Sequence, residues 1–213
     1  MNGLGIVGPS FENRGLLIVT GGSVLDVGAA AGLTQTTANA VTTVNGVLRA
    51  STLVPQAGQR KGSGTVMANV VNAGGTISAG DSPGTLSIAG NLSLGANSLM
   101  LVAGAGLAQG IQYDWLQVSG DVLLGGDLRL DFGNHAPQLG EHYSFLTSTG
   151  GQISRMFNTA YANGYVLTMD YGMQGVTATV SAITAVPEPS TYGLMLLGLG
   201  WLGAHLRRRP VRA

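Results

Sequence analysis

Short apolar runs broken by glycine and asparagine set the pattern of residues 11–50. Leu16-Leu17-Ile18-Val19 and Val24-Leu25-Asp26-Val27 flank Gly21-Gly22, and Val41-Thr42-Thr43-Val44 meets Val47-Leu48 across Asn45-Gly46. β-Branched runs with Gly-Gly and Asn-Gly punctuation predict strands and tight corners. Asn-Gly between apolar runs also fits a β-hairpin, the main alternative to the stacked arrangement argued next. Residues 53–64, with Pro55, Arg60 and Lys61, are expected to form a loop.

From residue 62 to 112 the only charge is Asp81 and no aromatic residue occurs. Apolar positions alternate there: Leu86 and Ile88, Leu92 and Leu94, Leu99 and Leu101. Period-two spacing puts each pair on one face of a strand. The pattern repeats, LSIAGNLSLGANSLML from Leu86 aligning with LQVSGDVLLGGDLRL from Leu116. Leu86 matches Leu116, Ile88 matches Val118, Gly90 matches Gly120, Leu92 matches Val122 and Leu94 matches Leu124; after a short gap, Leu99 and Leu101 match Leu128 and Leu130. A repeat of short strands with glycine corners predicts stacked coils, each burying its apolar face only against its neighbours. Leu86, Ile88, Leu92, Leu94, Val118, Val122 and Leu124 are the expected buried positions.

Residues 74–86, GGTISAGDSPGTL, resemble the passenger-associated repeat of autotransporters: a strand, a Ser-Pro-Gly turn, a strand, Gly-Asn and a strand. Tyr113-Asp114-Trp115-Leu116-Gln117-Val118-Ser119-Gly120 fits the later part of that repeat, and Ala79 departs from it where the family often has proline. The resemblance implies a right-handed parallel β-helix. Nine of the twelve aromatic residues then fall between Tyr113 and Tyr171. Solenoids need a distinct terminal cap, and strands near residues 143–147, 165–170 and 176–183 are expected to form one.

Glycine accounts for 35 of 213 residues and charged residues for 9%. The formal net charge is zero, but Arg207, Arg208, Arg209 and Arg212 lie at the C-terminus, so six basic residues face nine acidic ones before Pro187. A weakly acidic body argues against nucleic acid as a partner. With no cysteine there is neither a disulfide framework nor thiol chemistry. Residues 1–10 show no basic n-region or apolar h-region, so the chain is expected to start late relative to an exported protein.

The candidate carboxylates are Asp114, Asp121, Asp127 and Asp131. Polysaccharide cleavage needs carboxylates converging on one face, with a basic or a second acidic partner. Asp121 and Asp127 fall beside glycine corners, where aspartate commonly bonds local backbone, and Asp131 alternates with Leu130 and should point outward. His135, Glu141 and His142 are candidate metal ligands, but they lack the helical spacing or cysteine partner of a metal site and surround Pro137 and Gly140, as an exposed loop would. Asp81-Ser82-Pro83-Gly84 lacks the Gly-x-Ser-x-Gly elbow and reads as a turn. No cofactor or metal site is expected.

The C-terminus carries three pieces in order. A polar box, Val186-Pro187-Glu188-Pro189-Ser190-Thr191, precedes an uncharged Leu/Gly-rich run to Leu206, and Arg207-Arg208-Arg209 follow at once. Two prolines remove donors and fix φ, keeping the box extended. The run of about 16 residues makes about 24 Å of helix against about 30 Å of hydrocarbon, so a core helix is the alternative. Tyr192 at one interface and a snorkelling Arg207 at the other fit a short span. This order resembles the PEP-CTERM sorting signal. The resemblance implies that an exosortase, a membrane-embedded cysteine peptidase, recognises the box and removes the helix and arginines.

Together these readings predict an all-β chain: a right-handed parallel β-helix over residues 1–141, an aromatic-rich β cap over 142–185, and a sorting signal with a single short transmembrane helix over 186–213. They predict an exported, non-enzymatic envelope or matrix protein. Its body would lie on the periplasmic side of the inner membrane and, after processing, at the cell surface or outside. Its expected partners are an exosortase, transiently the inner membrane, and an extracellular polysaccharide. The alternatives are a polysaccharide-active lyase or hydrolase on the same scaffold, and a truncated autotransporter passenger.

Overall fold

A computed structural model describes residues 3–5, 10–28, 30–81, 83–184 and 199. The chain divides into two compact units, Met1–Ile183 and Thr184–Ala213. In the second unit only Thr184 and Leu199 are described; Leu199 is helical and exposed. The expected span over residues 192–206 otherwise lies outside the described residues. Among the described residues no helix is long and apolar enough to cross a membrane.

The described residues of the first unit form only β structure, a single 21-stranded sheet. Strands follow one another in tiers. β1 (Gly3–Gly5), β2 (Ser10–Asn13) and β3 (Leu16–Val19) make the first, and β4 (Val24–Asp26), β5 (Gly32–Gln35) and β6 (Val41–Val44) the second. In the next two tiers a long strand turns one corner without a break: β7 (Val47–Pro55) with β8 (Gln59–Lys61), then β9 (Thr65–Asn72) with β10 (Thr76–Ser78). Three strands return in β11 (Thr85–Ile88), β12 (Leu92–Leu94) and β13 (Leu99–Ala103), then in β14 (Trp115–Val118), β15 (Val122–Leu123) and β16 (Asp127–Asp131). β17 (His142–Ser148), β18 (Ile153–Ser154) and β19 (Thr159–Ala162) form the last tier, and β20 (Tyr165–Tyr171) and β21 (Gly175–Ile183) follow.

Every pairing from tier to tier is parallel, so the hairpin alternative across Asn45-Gly46 does not occur: β6 pairs with β3 and β8, and β7 pairs with β4, β5 and β9. Three buried columns result. Leu25, Leu48, Val66, Ile88 and Val118 stack in register in the first. Leu33, Leu53, Val70, Leu92 and Val122 do so in the second. The third runs Thr42, Arg60, Ile77, Met100 and Leu128. Burying each aliphatic side chain contributes about 1.5–3 kcal/mol, so the columns are the core. Leu86, Ile88, Leu92, Leu94, Val118, Val122 and Leu124 are all buried, as the repeat requires.

Two expectations need correction. Leu99 and Leu101 do not stack on Leu128 and Leu130; Met100 and Val102 do, and these are the buried pair. A one-residue slip in register exchanges the faces of a strand, and this all-apolar segment hides which face is which. Residues 53–64 are not a loop. Leu53, Val54 and Pro55 end β7, and β8 pairs in parallel with both β6 and β10. Arg60 is thereby turned inward and fully buried, and among the described residues none of its three guanidinium nitrogens has a hydrogen-bond partner. Desolvation pushes its pKa down to about 9.

The stack ends in an antiparallel layer. β21 pairs with β17 and with β20, and β17 also continues the parallel ladder from β14. The expected strands at 143–147, 165–170 and 176–183 are therefore present. Phe132, Tyr143 and Tyr165 cluster here, with ring centroids 5.0 and 5.3 Å from Phe132.

Corners require backbone to pass close to backbone. A Cβ on Gly90 would lie 2.4 Å from the Ala68 carbonyl oxygen. Gly126 has φ of 65°, and a Cβ there would lie 2.1 Å from the Ser98 carbonyl oxygen. Gly90→Ala should therefore destabilise the body by about 1–3 kcal/mol. Gly15→Ala, where a Cβ meets nothing within 4 Å, should be nearly neutral; chemical denaturation of both variants checks the contrast.

Arg60 yields the opposite sign. Its pKa is depressed in the folded state, so below about pH 9 folding keeps a charged group out of water without compensation, and that penalty lifts only as pH rises above that value. At pH 7, Arg60→Met should raise stability by on the order of 1 kcal/mol or more. A fall in melting temperature for this variant would contradict the unpaired burial.

Candidate functional site

The four candidate carboxylates occupy separate settings. Asp114 is fully buried. Its Oδ1 accepts from the Gly84 amide and its Oδ2 from the Ala103 amide, both at 2.9 Å. It thus ties the excursion between β13 and β14 to the turn before β11. The Ser82 position in that turn lies outside the described residues; Asp81 is on the surface, 3.4 Å from Lys61 Nζ.

Asp121 belongs to a row at the corner between the first and second strands of a tier. Asn69 Oδ1 accepts from the Asn91 amide at 2.9 Å, Asn91 Oδ1 from the Asp121 amide at 2.8 Å, and Asp121 Oδ1 from the Gln152 amide at 2.9 Å. Each side-chain oxygen satisfies a backbone donor of the next tier that the corner leaves without a ladder partner. The sequence reading placed Asp121 at a corner; the Asn-Asn-Asp row itself could have been found by extending the Gly90–Gly120 match one residue to Asn91 and Asp121.

Asp127 and Asp131 both face outward from β16, with Arg129 between them. Arg129 Nη2 lies 3.0 Å from Asp131 Oδ2, and Asp127 Oδ1 accepts from Thr159 Oγ1 at 2.7 Å. Four residues along a strand separate the two side chains by about 13 Å. Paired glycosidase carboxylates stand about 5–9.5 Å apart. Asp121, Asp127 and Asp131 bond to three different partners, Gln152, Thr159 and Arg129.

The residues expected to form an exposed loop are more ordered than that. His135 Nε2 sits 3.2 Å from Glu141 Oε2, and Tyr143 donates to the same oxygen at 2.8 Å. Burial opposes charge on Glu141, but the bonds from Tyr143 and His135 outweigh it and hold the carboxyl below its ordinary value. Burial first, then Glu141, pushes the Tyr143 hydroxyl well up. Tyr143 is therefore a fixed donor, and the trio closes the segment before β17 onto the aromatic layer. His142 is exposed and takes no part. Among the described residues no group of three or more His, Cys, Asp or Glu could hold a metal ion.

The proposed box, Val186-Pro187-Glu188-Pro189-Ser190-Thr191, and the stop, Arg207-Arg208-Arg209, lie outside the described residues. What precedes them is described: β21 ends at Ile183, and both Ile183 and Thr184 are exposed.

No curated protein matches the chain. A protein-family model described as the PEP-CTERM protein-sorting motif matches residues 185–209. That span takes in the box, the apolar run and all three arginines, and it indicates C-terminal sorting by an exosortase, with export to the envelope.

Proposed function

We propose that this chain is a non-enzymatic structural protein of the cell envelope or extracellular matrix, with a right-handed parallel β-helix as its body and an exosortase-processed C-terminus. The sorting motif over residues 185–209 carries the reading. The tier-by-tier parallel pairing supports the β-helix, and parallel crossovers are right-handed in nearly all known cases. The structural engagement of Asp114, Asp121, Asp127 and Asp131 supports a body that acts by binding rather than by chemistry.

In this reading the box stands just outside the inner membrane. Glu188 would be costly to bury in hydrocarbon, so it marks the outer boundary, and Arg207, Arg208 and Arg209 mark the cytoplasmic one. The peptidase then meets the Pro187-Glu188-Pro189 segment at a fixed height. The body ends only a few residues before, at the exposed end of β21, and is released folded.

The test is the mass of the protein recovered from the envelope of an exosortase-bearing host. The native chain should lack the segment after the box. Pro187→Ala combined with Pro189→Ala should insert normally and keep it. A native chain that retains residues 192–213 in such a host would make the segment a plain anchor and end the sorting reading.

A further inference from the structure

The outward face of the second ladder forms a shallow groove of about 370 Å³, running across the strands from tier to tier. Its floor is Val71, Ser93 and Leu123, which are direct register neighbours on β9, β12 and β15. Neighbouring strands lie about 4.8 Å apart, so the floor repeats at that spacing. One wall is the corner row of Asn69, Asn91 and Asp121.

That wall is chemically biased. Oδ1 of Asn69 and Oδ1 of Asn91 are each held by the amide of the next tier, which fixes the orientation of both amide groups. No hydrogen bond among the described residues engages either Nδ2, and both residues are exposed. Two donors therefore stand on the wall one tier apart. Asp121 follows as an acceptor, its Oδ1 bound to Gln152 and its Oδ2 outside any described bond. The groove contains no Lys, Arg or His, and Asp121 is its only charge.

We propose that this groove binds one strand of a neutral, linear polysaccharide lying along the stack. An extended glycan chain repeats its hydroxyls at about the length of one pyranose ring, which is comparable with the strand spacing. The axial C–H faces of the sugars rest on Val71 and Leu123, and their hydroxyls accept from Asn69 Nδ2 and Asn91 Nδ2 and donate to Asp121 and Ser93. A polyuronate is disfavoured because its carboxylates would meet Asp121 with no cation to receive them. A protein strand is disfavoured because the backbone groups of β9, β12 and β15 are already committed to their own ladder. The proposal rests on the matrix reading for the source of the glycan, but the binding itself does not depend on how the C-terminus is processed.

The test uses purified full-length chain in detergent and titration calorimetry with three probes: cellohexaose, β-1,4-mannohexaose and a hexaguluronate. At least one neutral hexasaccharide should bind at millimolar affinity or better, and the hexaguluronate should bind at least tenfold more weakly. Asn69→Asp with Asn91→Asp keeps both Oδ1 acceptors and removes both donors, and should weaken neutral binding at least fivefold with the melting temperature little changed. Leu123→Lys, on the outward face, should obstruct the floor and weaken binding as much. Absence of binding by both neutral probes, tighter binding of the hexaguluronate, or unchanged affinity in the double variant would overturn the proposal. Failure of binding with normal removal of the C-terminus would leave the sorting reading standing; the reverse result would leave the groove standing.

Discussion

The body depends on the in-register parallel hydrogen bonding of each tier to the next. No strand of β4 to β16 pairs with its sequence neighbour as a hairpin; their parallel register partners lie 17 to 32 positions apart, as in Gln59↔Thr76, Leu86↔Leu116 and Asp127↔Thr159. An open parallel edge is costly, so a single tier would not persist alone. The same register aligns side chains of one type above one another, and it is this alignment that produces both the apolar columns and the corner row of Asn69, Asn91 and Asp121. Close approach at Gly90 and Gly126 is the steric counterpart of those hydrogen bonds.

Inside and outside then take different roles. The later tiers are sealed by Leu, Val and Met, while the earlier ones carry Asn13, Gln35, Thr42 and Arg60 in their interior. Asn13 donates to Thr42 Oγ1, and Thr42 Oγ1 donates to Gln35 Oε1 at 2.7 Å, so that part of the polar interior is satisfied. Arg60 is not, which makes β8 the local weak point of the stack. At the other end β20, β21 and the aromatic cluster around Phe132 close the last tier with antiparallel pairing, so β17 offers no free edge. The sorting motif begins two residues after the exposed end of β21 at Ile183.

Much of this was legible in the sequence wherever the repeat kept both spacing and parity. Leu86 to Leu116 and Ile88 to Val118 are 30 residues apart with the same glycine corner after them, so both the stacking and the buried face could be read. At Leu99-Met100-Leu101-Val102 every residue is apolar, no alternation marks a face, and matching by leucine chose the wrong register. Pro55, Arg60 and Lys61 carry the composition of a loop; only the parallel partners on both sides of β8 make it a strand. The Asp121 corner was visible from its glycine neighbour. Asp114 was not, because its partners Gly84 and Ala103 are brought to it by folding, and the His135–Glu141–Tyr143 contact depends on a loop closing on itself, which periodicity does not report. The C-terminal signal was readable because its box, apolar run and arginines follow one another directly along the sequence.

The register itself is open to a direct measurement, since the chain has no cysteine to interfere. Ser87 and Gln117 are outward-facing partners on β11 and β14, and adjacent strands place their Cα atoms within disulfide reach. Ser87→Cys with Gln117→Cys should oxidise to an intrachain disulfide in high yield, detected by mass and by mobility before and after reduction. Ser87→Cys with Leu123→Cys should not. If the first pair fails to cross-link in folded protein, or the second does so as readily, the parallel stack is wrong.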